Sequence, residues 1–149
     1  RLKGGVPLGA DTVARYKYIS RNGSVDGYYS GYTFANQLGV TTQVPYMVEI
    51  VSNNASARVR EVNLHGRRVL LRKARVRVTK ENYRILQFLD FLKDIDQYAD
   101  ENDKILSDRI RKYVVDVQIK KTEIDCYIKQ YPDRIYRYIY EMRLYDVFA

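Results

Sequence analysis

The sequence predicts an α+β fold, an antiparallel sheet of three to four strands packed with N-terminal helices and about four C-terminal helices. Three observations predict it. Alternating, β-branched segments are confined to residues 46–78, whereas apolar residues recur at three- and four-residue steps before and after that stretch. The chain has 149 residues, 46% of them hydrophobic, and at that length it buries on the order of 70% of its extended surface, enough for one core. Fifteen tyrosines make it too aromatic for a charged chain that stays unfolded.

Residues 10–20 place Val13, Tyr16, Lys17 and Ile19 at roughly helical spacing behind Asp11 as N-cap, and Arg21-Asn-Gly23 supplies a turn. The segment 27–39 holds a second helix, with Ser30 to cap it, a stripe of Phe34, Ala35 and Leu38, and Gly39 to close it. Residues 41–45 are an extended connection, because Pro45 disfavours helix at Val44.

Strands are expected at about 46–52, 57–64, 67–73 and 75–78. The second and third are joined by His65-Gly66, a two-residue loop of the kind hairpins use. Val59 is out of phase with Val62 and Leu64, which calls for a bulge near Arg60 and Glu61. Val76 and Val78 point one way and Arg75 and Arg77 the other.

Behind a Thr79 cap, Ile85, Phe88, Leu89, Leu92 and Ile95 trace a helix over 81–98, with Asp90, Lys93, Asp94 and Asp96 on its far side. After an acidic turn over 100–103 come helices at 104–115, 122–130 and 133–145. The last is opened by Pro132-Asp133 and carries Ile135, Tyr138, Ile139, Met142 and Tyr145 on one face. The expectation is a single domain over 1–149 whose residues 1–9 are linker-like, the C-terminal part of a longer protein.

The formal net charge is +8, and residues 58–84 account for all of it. They hold ten bases (Arg58, Arg60, Arg67, Arg68, Arg72, Lys73, Arg75, Arg77, Lys80 and Arg84) against Glu61 and Glu81. Turned outward on one sheet face, these groups would orient an anionic partner, nucleic acid phosphates or an acidic protein, without reading base sequence. The plainer alternative is a charged outer face that resists edge-to-edge association.

Catalytic sets are sparse. The one histidine, His65, falls on a hairpin tip without partners, and His65 and Cys126 lie in distant segments that give no zinc spacing. There is no calcium loop and no phosphate loop, so no cofactor and no metal is expected. Asp94 and Asp96 read as a solvated helix face, Cys126 as a small buried hydrophobe, and the tyrosines as packing residues, some of which could form a partner surface. A lone cysteine, no signal-peptide core and no apolar run of about 18 residues point to a cytoplasmic protein with no membrane partner.

The run Gly27-Tyr-Tyr-Ser-Gly-Tyr-Thr-Phe-Ala-Asn-Gln-Leu-Gly-Val-Thr-Thr-Gln-Val-Pro45 resembles the AbiEi-type antitoxins of bacterial abortive-infection, type IV toxin–antitoxin systems. The likeness continues through Glu49-Ile-Val-Ser-Asn-Asn54, residues 58–61, Val69-Leu-Leu-Arg-Lys-Ala-Arg75, Thr79-Lys-Glu-Asn82 and Leu86-Gln-Phe-Leu-Asp90, with Ala74 where the family often has proline. It spans roughly residues 5–95. The resemblance implies a transcriptional regulator that binds DNA through an N-terminal winged helix-turn-helix, of which this chain matches only the C-terminal domain. It also implies a nucleotidyltransferase-like toxin, or that toxin's target, as partner. The expected function is a non-enzymatic antitoxin-like regulatory domain. An oligomerisation or protein-interaction module built on the Tyr-rich helices, and a cryptic nucleic-acid-processing enzyme, are the alternatives.

Overall fold

The computed structural model describes residues 10–99 and 103–149; the linker-like segment 1–9 and residues 100–102 of the acidic turn lie outside them. The architecture is α+β, with one four-stranded sheet, a small two-stranded hairpin and seven α-helices among the described residues. The expected first helix forms as α1 (Ala10–Ala14) running into a π-helical turn, Arg15–Ile19. The turn at Asn22 and Gly23, both at positive φ, joins β1 (Ser20–Arg21) to β2 (Ser24–Val25).

The main sheet consists of β3 (Gly27–Tyr29), β4 (Val48–Ser52), β5 (Val59–Leu64) and β6 (Arg67–Lys73), in the order β3-β4-β6-β5. The β5–β6 hairpin closes on His65 and Gly66 at φ 51 and 84, the left-handed pair that a two-residue turn requires. Three strand-level expectations are revised. The segment 75–78 is not a strand. Val78 is instead tied to the Asn53 side chain, whose Nδ2 donates to the Val78 carbonyl at 2.8 Å while the Val78 N–H donates to Asn53 Oδ1 at 2.8 Å. The fourth strand is β3, three residues too short to show a period in the sequence.

Nor are all the strands antiparallel, since β4 and β6 run parallel. The cause is composition. In β6, Val69 and Leu71 are wholly or almost wholly buried, so β6 takes the covered position beside β4, and polar β5 goes to the rim. The bulge expected near Arg60 does not form, because β5 pairs with β6 residue for residue from Val59–Arg72 to Leu64–Arg67. Val59 simply faces the other way from Val62 and Leu64 and stays half exposed.

Alternation along the strands divides the apolar residues between two clusters. Val48, Ile50, Val69 and Leu71 pack with Ala14, Tyr18 and Ala55 on the α1 side. Tyr28 and Val51 point into the larger cluster on the other side. That cluster is built by α2 (Gly31–Leu38), α3 (Tyr83–Lys93), α4 (Ile95–Tyr98), α5 (Asp103–Val117), α6 (Lys121–Tyr127) and α7 (Arg134–Glu141). Gly39 closes α2 at φ 77, as expected. Thr79 and Asn82 cap the approach to α3 reciprocally: Asn82 N–H donates to Thr79 Oγ1 at 3.2 Å and Thr79 N–H to Asn82 Oδ1 at 2.7 Å.

Helix α3 buries Ile85, Leu86, Phe88, Leu89, Phe91 and Leu92, and Phe88 stacks on Tyr113 of α5 with ring centroids 5.8 Å apart. Short 3₁₀ turns, Ile128–Gln130 and Leu144–Asp146, finish the two helical segments expected at 122–130 and 133–145. Cys126 is exposed, contrary to expectation, because α6 buries Ile124 and a residue two positions on lies across the helix from it. No helix among the described residues is long and apolar enough to cross a membrane.

The Asn53 side chain stands in for a sheet neighbour, so removing it leaves both backbone groups of buried Val78 unpaired. Asn53→Ala should cost about 2–3 kcal/mol in urea unfolding, and Asn53→Asp, which keeps the acceptor and loses the donor, a smaller part of that. A loss below about 0.5 kcal/mol for Asn53→Ala would show that the segment is held in some other way.

A mixed-charge trough between the sheet and helix α3

The helices cover only the β3–β4 end of their sheet face. Beyond Val51, the face that carries Glu49, Leu70 and Arg72 is left open, and with the 41–47 connection and the C-terminal ends of α3 and α4 it encloses a trough of about 930 Å³. Cations and carboxylates both line it. Arg58, Arg72, Lys73, Arg75 and Lys93 supply the positive groups; Glu49, Asp90 and Asp94 supply the negative ones.

Each carboxylate already has a partner. Glu49 reaches over the start of α2, accepting from the Tyr32 N–H at 2.9 Å and from Arg72 Nη1 at 3.0 Å. The backbone around it is bolted to the same helix: Ser30 N–H donates to the Glu49 carbonyl at 2.9 Å and Glu49 N–H donates to Thr33 Oγ1 at 3.0 Å. Gly31 makes this possible, since its φ is +54 and a Cβ there would overlap the Glu49 carboxylate. Ser30 occupies the N-cap position as expected, yet its hydroxyl makes no cap bond; the carboxylate from β4 does that work.

Asp94 forms ion pairs with Lys93 and, at 2.9 Å, with Arg134 of α7. This corrects its reading as a solvated helix position. The Asp94 side chain is only 16% exposed, whereas Asp96 stands in solvent and accepts from the Tyr138 hydroxyl at 2.8 Å. Asp90, expected on the outer face of α3, turns into the trough floor and accepts a hydrogen bond from the buried Tyr28 hydroxyl. Burial pushes the Asp90 carboxyl above its ordinary range, against the lowering effect of the Tyr28 bond and of Lys93 and Arg75 nearby. Burial likewise raises Tyr28, with Asp90 adding to the shift.

The ten bases singled out by the sequence do not form one plate. Four of them, Arg58, Arg72, Lys73 and Arg75, line the trough. Arg75 is fixed there by a 2.7 Å bond from Nη1 to the Gln130 carbonyl and by its guanidinium lying 4.9 Å from the Tyr131 ring centroid. Arg68 shares the sheet face of Arg72 but is held bidentately by Glu61 at 2.7 and 3.1 Å and lies 4.7 Å from the Tyr46 ring. Strand alternation sends Arg60 and Arg67 to the opposite face, where Arg60 donates to Ser56 Oγ and Arg67 lies 3.8 Å from Asp11. Arg77 is exposed outside the sheet. Lys80 and Arg84 line a separate, smaller cleft against the α5–α6 connection. The physical reason is the period of two, which puts Arg60 and Arg67 on the face opposite Arg68 and Arg72; Lys73, the last residue of β6, and Arg58 across from it border the trough at the open end of the hairpin.

Sequence reasoning passed over Glu49, Tyr28 and Lys93 as site residues. Glu49 carried a signal, being the one acid inside an otherwise apolar strand, 48–51. Of the Tyr-rich helices, Tyr138 packs inward, while Tyr136, Tyr140 and Tyr145 are exposed. His65 stands on the hairpin tip, away from the trough. Among the described residues no three His, Cys, Asp or Glu side chains gather so as to hold a metal ion. Compared with family models, with curated proteins and with solved structures, the chain matches none.

Two outcomes test this geometry. Gly31→Ala should destabilise the fold by about 2 kcal/mol or more, because the added Cβ meets the Glu49 carboxylate and the backbone is left-handed; adding Glu49→Ala should recover only part of the loss. Full tolerance of Gly31→Ala in urea melts would contradict it. The raised Asp90 carboxyl binds its proton more tightly in the folded than in the unfolded state. Its protonation therefore adds stability that is present below the ordinary carboxylate range and lost as pH rises through the raised value. Asp90→Asn, which keeps an acceptor for Tyr28, should be more stable than the parent at neutral pH, with the difference closing on acidification. A difference independent of pH would count against this assignment.

Proposed function

We propose that this chain is a non-enzymatic regulatory domain that receives an acidic protein partner in the trough, as the C-terminal part of an antitoxin-like, cytoplasmic transcriptional regulator. The observation that carries this reading is the imbalance of partners in the trough. Glu49, Asp90 and Asp94 are all engaged from within, whereas among the described residues the Arg58 and Lys73 side chains have no carboxylate partner. The charge left for a ligand is positive. Apolar groups beside it, Val59, Leu70, Met47 and Tyr46, offer contact area to a protein segment.

The resemblance to AbiEi-type antitoxins supplies the regulatory setting. In that setting the full-length protein binds DNA through its winged helix, and the domain described here engages a nucleotidyltransferase-like toxin or that toxin's target. Direct phosphate contact by the sheet is the weaker form of the proposal. A duplex is gripped by several cations spread along one surface, each releasing counterions, and here Arg60 and Arg67 face away from Arg68 and Arg72.

The double charge reversal Arg58→Glu with Lys73→Glu separates the two forms. Binding of labelled poly-L-glutamate, followed by fluorescence anisotropy, should weaken about tenfold or more, whereas binding of a random-sequence DNA duplex should change less than about threefold. Equal losses for both probes, with the salt slope for DNA also reduced, would move the assignment to nucleic acid. Unchanged poly-glutamate affinity would remove the trough from the account.

A further inference from the structure

We infer that the outer edge of β5 takes an extended acidic segment of the partner as a fifth strand of the sheet. The inference rests on the acidic-partner reading above and adds the way in which that partner is held.

The edge is open. In the order β3-β4-β6-β5 the last strand has a neighbour on one side alone, and among the described residues nothing pairs with its other side. Its phase follows from one hydrogen bond: Lys73 N–H donates to the Arg58 carbonyl at 3.0 Å, so Arg58, and with it Arg60, Val62 and Leu64, turns its backbone groups towards β6. Val59, Glu61 and Asn63 therefore direct their N–H and C=O groups outward, three donors and three acceptors in a row.

The usual protections of such an edge are missing. Within Val59–Leu64 there is no proline, and the unbroken register with β6 means that there is no bulge to twist the edge away. Charge is the only guard, and it is selective. Glu61 is neutralised by the bidentate Arg68, which leaves Arg60 on one side of the strand and Arg58 at its start. A basic segment is repelled and an acidic one attracted. On the trough side Val59 is 52% exposed next to Leu70, an apolar strip that an incoming strand would extend. The segment that fits alternates apolar residues beside Val59 with acidic residues beside Arg60. Main-chain bonds would give it hold, and the alternation would give it selectivity.

The test uses the whole chain and a short capped peptide of alternating Val and Glu. A second version of the peptide is N-methylated at alternate residues, keeping its charge and losing the donors of one edge. On binding the first peptide, amide exchange at Val59, Glu61 and Asn63, read by NMR, should slow about tenfold or more, and the methylated peptide should bind about tenfold more weakly. Glu61→Pro removes one outward N–H without touching the ladder to β6 and should weaken the peptide by a similar factor, while Glu61→Gln, which keeps that N–H and frees Arg68, should bind the acidic peptide at least as tightly as the parent. Equal binding of both peptides with no protection of these amides would overturn strand addition and leave the acidic-partner reading standing. Binding of neither peptide, with poly-glutamate also unbound, would overturn both. Protection of the same amides without peptide, rising with protein concentration, would assign the edge to a second copy of the chain instead.

Discussion

The placement of β6 governs the rest of the molecule. Val69 and Leu71 must be covered, and they are covered by setting β6 between β4 and β5 with their side chains towards Ala14, Tyr18 and Ala55. The β4–β6 pair is parallel for that reason, and β5, with Arg60, Glu61 and Asn63, is carried to the rim. The same arrangement separates the arginines of one hairpin onto two faces. A sequence window with all of the chain's net charge thus becomes several local surfaces, of which the trough is the one where cations converge.

Inside the trough the arrangement is economical. Glu49 serves three elements at once: its carboxylate caps α2, its pairing with Arg72 fixes a guanidinium on the sheet, and its backbone joins β4 to Ser30 and Thr33. Arg134 and Lys93 hold Asp94 in the same manner, linking α7 to the end of α3. These pairs lie partly shielded from water, so their geometry matters more than that of the exposed i,i+4 pairs Lys104–Asp108 and Lys112–Asp116 on α5, which contribute little. Because the internal carboxylates are occupied, Arg58 and Lys73 at the open end of the hairpin leave the trough with an excess of positive charge.

Much of the fold was legible in the sequence because its signals were local. The stripe of Ile85, Phe88, Leu89 and Leu92, the His65-Gly66 turn, the Thr79 cap and the closure of α2 at Gly39 each follow from residues within a turn or two of one another, and each is present. What was not legible depends on distant partners. Val78 reads as strand by alternation but is satisfied by Asn53, 25 residues away. Tyr28-Tyr29 reads as the approach to a helix but pairs with Val51 and Ile50. Asp90 reads as solvated, and its partner is Tyr28, 62 residues earlier. Strand direction was likewise invisible, since alternation tells which face a residue takes but not which neighbour its strand finds. The single cationic face failed on a rule that the sequence does contain: successive strand residues point opposite ways.

Arg58, Arg72 and Arg75 border one trough, whereas Arg60, Arg77 and Arg84 lie on other surfaces. Guanidinium Nε–Hε resonances report on each arginine separately, so their response to added poly-L-glutamate is the most direct measurement. Shifts are expected to concentrate on Arg58, Arg72 and Arg75, with Arg77 and Arg84 nearly silent. Uniform shifts across all six, or a response led by Arg77 and Arg84, would contradict binding in the trough.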